Sequence, residues 1–195
     1  MIERLAYFIS FILNPLFILV FLPFFLVYKS TGSISDAIGW TAYSFMFLLA
    51  VGLFMIHGVK KKLFTDLDVS KREQRPLLFT YLFVVGILYV AGLYVFNAPD
   101  ILSIMAIGMM SGLLIVSIVN RWIKASIHIS ILSALVLGVA FGYGGLSYLF
   151  FILIPLVAWS RVKIKRHTIM ETLVGFIIGS LVSFGIFTYL KSIFT

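Results

Sequence analysis

Runs of apolar residues long enough to cross a bilayer recur from one end of the chain to the other. A helix needs about 20 such residues to cross the hydrocarbon core. Spans are expected at roughly 5–28, 37–57, 77–97, 101–119, 128–143, 145–160 and 171–190, the fifth and sixth being short. Of the 195 residues 62% are hydrophobic and 11% are charged, more apolar surface than a soluble domain of this length can hide. The expected fold class is all-α: a polytopic transmembrane helical bundle of six to seven spans, forming a single integral membrane domain over residues 1–195. The run from Leu5 to Tyr28 is longer than a signal-peptide core and no small-residue cleavage site follows it, so it reads as a retained span. Asn97-Ala98-Pro99-Asp100 and Gly142-Tyr143-Gly144-Gly145 are turn signals between spans.

The charges that remain are distributed unevenly. When the spans are alternated across a membrane, the N-terminus and the loops after the second, fourth and sixth spans share one face. That face carries Arg4, Lys60, Lys61, Lys62, Lys71, Arg72, Arg75, Arg121, Lys124, Arg161, Lys163, Lys165 and Arg166, against Lys29 and Lys191 opposite. The positive-inside rule places the basic face in the cytoplasm of a multi-pass cell-membrane protein. Part of that bias has a second explanation, since some of these cations suit a phosphate ligand. The net charge of +8 lies beside apolar spans, so anionic lipid headgroups or a phosphate are the expected partners, and nucleic acid is not. With no cysteine and three histidines, thiolate and most all-histidine metal sites are excluded.

Three basic segments carry the candidate chemistry. In Ser160-Arg161-Val162-Lys163-Ile164-Lys165-Arg166-His167-Thr168-Ile169-Met170-Glu171, a helix beginning near His167 puts Glu171 on the same side, at i+4. A carboxylate there accepts a proton from one imidazole nitrogen and leaves the other with an outward lone pair, which makes a competent nucleophile toward phosphorus. Arg161 offers a planar fork of donors to phosphate oxygens. An interfacial cationic loop with a histidine at a helix start fits the same residues. In Lys124-Ala125-Ser126-Ile127-His128, a hydroxyl and an imidazole stand at the head of an apolar helix, suited to bind an anion and to protonate a leaving group. Read alone, they are an ordinary polar cap. In Asp66-Leu67-Asp68-Val69-Ser70-Lys71-Arg72-Glu73-Gln74-Arg75-Pro76, the cations Lys71, Arg72 and Arg75 cluster before a proline that starts the next span. Alone, they make a solvated loop with internal ion pairs. Asp66 and Asp68 lack the second acidic cluster that a magnesium site would use. His57 reads as a structural or interfacial residue, and Trp40, Trp122 and Trp159 as belt aromatics. Together, the three segments suit convergence of a nucleophile, a proton donor and several cations on one phosphoryl group.

The order of these motifs resembles the type 2 phosphatidic acid phosphatase superfamily, with its signatures K-x6-R-P, P-S-G-H and S-R-x5-H-x3-D. The third is matched from Ser160 to Glu171, with glutamate in place of aspartate. The second keeps Ser126 and His128, with Ala125 for proline and Ile127 for glycine; the first keeps Arg75-Pro76, with Asp68 where lysine is usual. The resemblance covers Lys60 to Gly179 and implies a catalytic core there. Carried over, it implies that His167 attacks phosphorus, Glu171 orients it, and His128 protonates the departing oxygen and then activates water. Arg75, Arg161 and Ser126, with Lys71 or Arg72 in support, hold the phosphoryl oxygens. No metal or other cofactor is implied. The expected substrate is a lipid phosphate or diphosphate: a polyprenyl diphosphate, phosphatidic acid or phosphatidylglycerol phosphate. The departures at Asp68, Ala125 and Ile127 motivate a different reading, an inactive lipid-binding or transport protein of the same fold. Transfer of the phosphoryl group to an alcohol is a third.

Overall fold

The computed structural model describes residues 2–194, and all regular structure among them is helical. The helices are α1 (Ile2–Ile12), α2 (Pro15–Thr31), α3 (Ile34–Lys60), α4 (Arg75–Val95), α5 (Asp100–Val119), α6 (Ile127–Tyr143), α7 (Leu153–Lys163) and α8 (Ile169–Phe194), with short 3-10 stretches before α4 and α7. Six helical stretches are long and apolar enough to cross a membrane; α6 is apolar but shorter. At about 1.5 Å per residue, its 17 residues rise about 25 Å, less than the roughly 30 Å of a hydrocarbon core. Phe21, Phe25, Ile87, Phe184 and many other large apolar side chains are exposed on these helices, as lipid contact requires. The chain is a multi-pass membrane protein.

The expected first span is not one helix. It breaks at Leu13-Asn14, between α1 and α2. Pro15 lacks an N–H and disfavours the helical conformation at the residue before it, so Asn14 falls outside both helices. The stretch expected at 145–160 is 3-10 over Gly145–Ile152 before it becomes α7. The turn ahead of it falls where expected, with Gly144 and Gly145 both at positive φ. The side chain of Lys191 lies outside the described ones.

The chain divides into two compact units: residues 1–15 with 114–195, and residues 16–113. In the second unit, Val27, Ala37, Leu93, Leu102 and Ala106 form a buried cluster flanked by Trp40, Tyr43 and Tyr89. Tyr43 donates to the Tyr89 carbonyl at 2.9 Å, and the Ser44 and Tyr89 hydroxyls meet at 3.0 Å. Phe54 stacks on Tyr81 with ring centroids 3.7 Å apart.

In the first unit α6 packs along α8, and α1 packs on α7. The α6–α8 approach depends on small residues one turn apart. A Cβ on Gly175 would lie 2.6 Å from the Ser126 carbonyl oxygen, and one on Gly179 would overlap the Ser130 carbonyl oxygen. Such close backbone contact is what small residues at four-residue spacing provide where no hydrophobic effect drives helices together. Gly179→Leu is therefore expected to destabilise the purified protein by roughly 1–3 kcal/mol or more in thermal unfolding. Gly185→Leu, where a Cβ meets nothing within 4 Å, is the control and stays near wild type. Equal losses in both would contradict this packing.

Candidate active site

Three local structures in the first unit position the residues singled out from the sequence. The first is the end of α7. Lys165 takes a left-handed conformation (φ 58°), at a cost of roughly 1–2 kcal/mol for a non-glycine residue. The turn it makes returns hydrogen bonds to the helix: Lys165 N–H to the Val162 carbonyl (3.0 Å) and Arg166 N–H to the Arg161 carbonyl (3.0 Å). The same Arg161 carbonyl accepts the His167 N–H at 3.3 Å. The fixed separation of Arg161 and His167 thus has a backbone cause: the carbonyl of one anchors the amide of the other. Both side chains are buried, at 2% and 7% relative exposure. The Arg161 Nη1 group donates to the Ser10 hydroxyl on α1 at 3.0 Å.

The second local structure is the start of α8. Thr168 Oγ1 accepts the Glu171 N–H, and Glu171 Oε2 accepts the Thr168 N–H, each at 3.2 Å. This reciprocal pair satisfies amides that the first turn would otherwise orphan. His167 stands two residues ahead of the helix, so it meets Glu171 through this turn and not along a helical face. Its Nδ1 lies 2.8 Å from Glu171 Oε2. An ionised carboxylate only accepts, so the contact calls for the proton on Nδ1, and in a neutral imidazole that leaves the lone pair on Nε2.

The third is the head of α6. Ser126 is its N-cap residue, but the side chain makes no capping bond. Its backbone N–H donates to the Glu171 carbonyl at 3.0 Å, which ties the start of α6 to the start of α8. The Ser126 Oγ is fully buried and makes no hydrogen bond. Ser133 on α6 and Ser183 on α8 share that state, whereas Ser180 on α8 folds its hydroxyl back onto the Phe176 carbonyl. Burying an unpaired hydroxyl costs roughly 1–3 kcal/mol, so Ser126 is suited to an acceptor such as a phosphoryl oxygen. His128 is half-buried in the first turn of α6.

Lys124 was grouped with Ser126 and His128 in the sequence, but its role was not foreseen. Its Nζ donates to the Arg166 carbonyl at 2.8 Å and lies 3.7 Å from Glu171 Oε2. It therefore pins the turn that carries His167 and brings a positive charge to the carboxylate that holds it. Thr168 was missed as well, although T-x-x-E ahead of an apolar run is a legible helix-start signature.

The remaining predicted residues lie in the second unit. Arg75 opens α4, is 1% exposed, and donates through Nε to the Val69 carbonyl at 3.2 Å. The loop before it is built by side chains. Asp66 Oδ1 accepts from the Asp68 and Ser70 amides and the Ser70 hydroxyl, and Gln74 Oε1 accepts from the Thr65 amide and hydroxyl. Asp66 is thus engaged in shaping the loop. Lys71 and Arg72 are exposed. His57 is exposed near the end of α3, where its carbonyl caps the helix by accepting Lys61 N–H.

Comparison of the chain with protein-family models, curated proteins and solved structures gave no match.

Proposed function

We propose that the protein is a membrane phosphatase that hydrolyses lipid phosphates or diphosphates through a phosphohistidine on His167. The observation that carries this reading is the 2.8 Å contact of His167 Nδ1 with Glu171, which fixes the tautomer and directs basicity to Nε2. The unpaired Ser126 hydroxyl and the buried Arg161 guanidinium beside the same turns support it. So does the resemblance to type 2 phosphatidic acid phosphatases, whose third signature spans Ser160 to Glu171.

In the proposed reaction, His167 Nε2 attacks the terminal phosphorus and its bond to the leaving oxygen breaks, the lipid oxygen of a monophosphate or the bridging oxygen of a diphosphate. His128 gives its proton to that oxygen. The Nδ1 proton stays on His167, and Glu171 balances the positive charge of the phosphorylated ring. Water then attacks phosphorus and loses its proton to His128, the P–N bond breaks, and inorganic phosphate is released. Arg161 and Ser126 hold the phosphoryl oxygens. Cations aimed at the developing charge contribute much of the rate. The apolar helices suit a substrate whose tail stays in lipid.

Phosphate release from farnesyl diphosphate, dioctanoyl phosphatidic acid and dioctanoyl phosphatidylglycerol phosphate, each in EDTA, tests this. Wild type turns over at least one of them, and His167→Ala loses activity by roughly three orders of magnitude or more, as removal of a nucleophile does. Equal rates in the two proteins would overturn the mechanism. Binding of these lipids without turnover would point to a lipid-binding protein of the same fold, and an alkyl phosphate formed with added alcohol would point to a transferase.

The basic face, with Lys60 to Lys62, is proposed to be cytoplasmic. Ser35, in the first turn of the 27-residue α3, and Lys61, just past its end, lie at opposite ends of it, and no native thiol competes with an introduced one. In intact cells an impermeant maleimide is expected to label Ser35→Cys and spare Lys61→Cys. The reverse pattern would invert the orientation, and equal labelling would contradict α3 as a span.

A further inference from the structure

The helix α1 lies outside the region of resemblance, yet it touches the proposed site. The Ser10 hydroxyl accepts a hydrogen bond from Arg161 Nη1 at 3.0 Å, across 151 positions of sequence. Both side chains are buried, Ser10 at 6% exposure. Ala6 is buried one turn earlier on the same face, so α1 meets α7 through two small residues. A buried helical serine can turn its hydroxyl to the carbonyl four residues back, as Ser44 does to Trp40. Ser10 instead accepts from a guanidinium.

From this we propose that Ser10 is a positioning residue for Arg161, and that α1 is a working part of the phosphate site as well as a membrane segment. The proposal rests on the reading of Arg161 as a phosphate ligand. Arginine recognises phosphate through two parallel N–H groups in one plane, so the orientation of that plane decides whether both reach the anion. A long side chain at the end of α7 has several rotamers available. A hydrogen bond at Nη1 removes most of them and uses one of the five donors of the guanidinium. Hydroxyl is the suitable partner: it holds the guanidinium without neutralising it, where a carboxylate would compete with the substrate for the same charge. α1 ends at Ile12 and the chain breaks at Leu13-Asn14 before Pro15, so the helix that carries Ser10 is a separate segment from α2.

The test is a double-mutant cycle on the full-length protein in detergent, read as kcat/KM for release of phosphate from dioctanoyl phosphatidic acid or farnesyl diphosphate. Binding of inorganic phosphate by calorimetry is the second readout. Ser10→Ala is expected to lower kcat/KM and phosphate affinity roughly tenfold, the usual range for a hydrogen bond to a charged group. Ser10→Thr, which keeps the hydroxyl, stays within about threefold of wild type. In an Arg161→Ala background, Ser10→Ala adds nothing further, because the group it positions is gone. A helix-packing role would give the same loss in both backgrounds, and that additivity would overturn the proposal. An impaired Arg161→Ala beside an unaffected Ser10→Ala would also overturn it while leaving the phosphatase reading intact. Full activity and phosphate affinity in Arg161→Ala would remove the phosphate role of Arg161, and the role of Ser10 with it.

Discussion

The first unit depends on what one carboxylate does. Glu171 Oε2 accepts the Thr168 amide that begins α8, receives the imidazole of His167 at 2.8 Å, and lies 3.7 Å from the Lys124 ammonium. Its own backbone carbonyl accepts the Ser126 amide that begins α6. Two helix starts and the proposed nucleophile thus share a single residue. A carboxylate so placed is less exposed to the desolvation penalty that an unpaired one would meet, because donors surround it.

Helix capping and the proposed catalysis make different demands on that residue. A capping box accepts glutamate or glutamine, since either side chain can take the amide hydrogen. Fixing the imidazole tautomer and balancing a positively charged phosphohistidine require the ionised form. The glutamate that stands where the resembled family has aspartate suits both. Its extra methylene reaches back to Thr168 N–H while the same oxygen meets His167, which lies ahead of the helix and not on it. Ser10 and Lys124 extend the arrangement outward, one bonded to the Arg161 side chain and the other to the Arg166 backbone.

Much of this was legible in the sequence and some was not, for reasons of distance along the chain. Spans of about twenty apolar residues give the helices directly, and Gly144-Gly145 and Asn97 mark turns because their backbones take positive φ. The His167–Glu171 pair was legible from a separation of four, although the contact forms through a capping turn that the T-x-x-E pattern also announces. The division of the first apolar run at Asn14-Pro15 was written in the proline but hidden by the continuity of hydrophobic residues on both sides. Ser10–Arg161 and Lys124–Arg166 were illegible, since they join residues 151 and 42 positions apart and no local pattern encodes such contacts. The buried Arg75 was read as a ligand from its place before Pro76, while its bond to the Val69 carbonyl follows from a loop conformation set by Asp66 and Gln74.

The central claim is that Glu171 holds His167 so that Nε2 is the attacking atom. It is tested most directly by trapping the intermediate: rapid acid-free quench of the protein with ³²P-labelled lipid phosphate, then peptide mapping and phosphorus NMR of the labelled fragment. The account predicts an acid-labile phosphoryl group on Nε2 of His167, absent from His167→Ala. Labelling on His128, on Nδ1 of His167, or turnover with no phosphoprotein in wild type would contradict it.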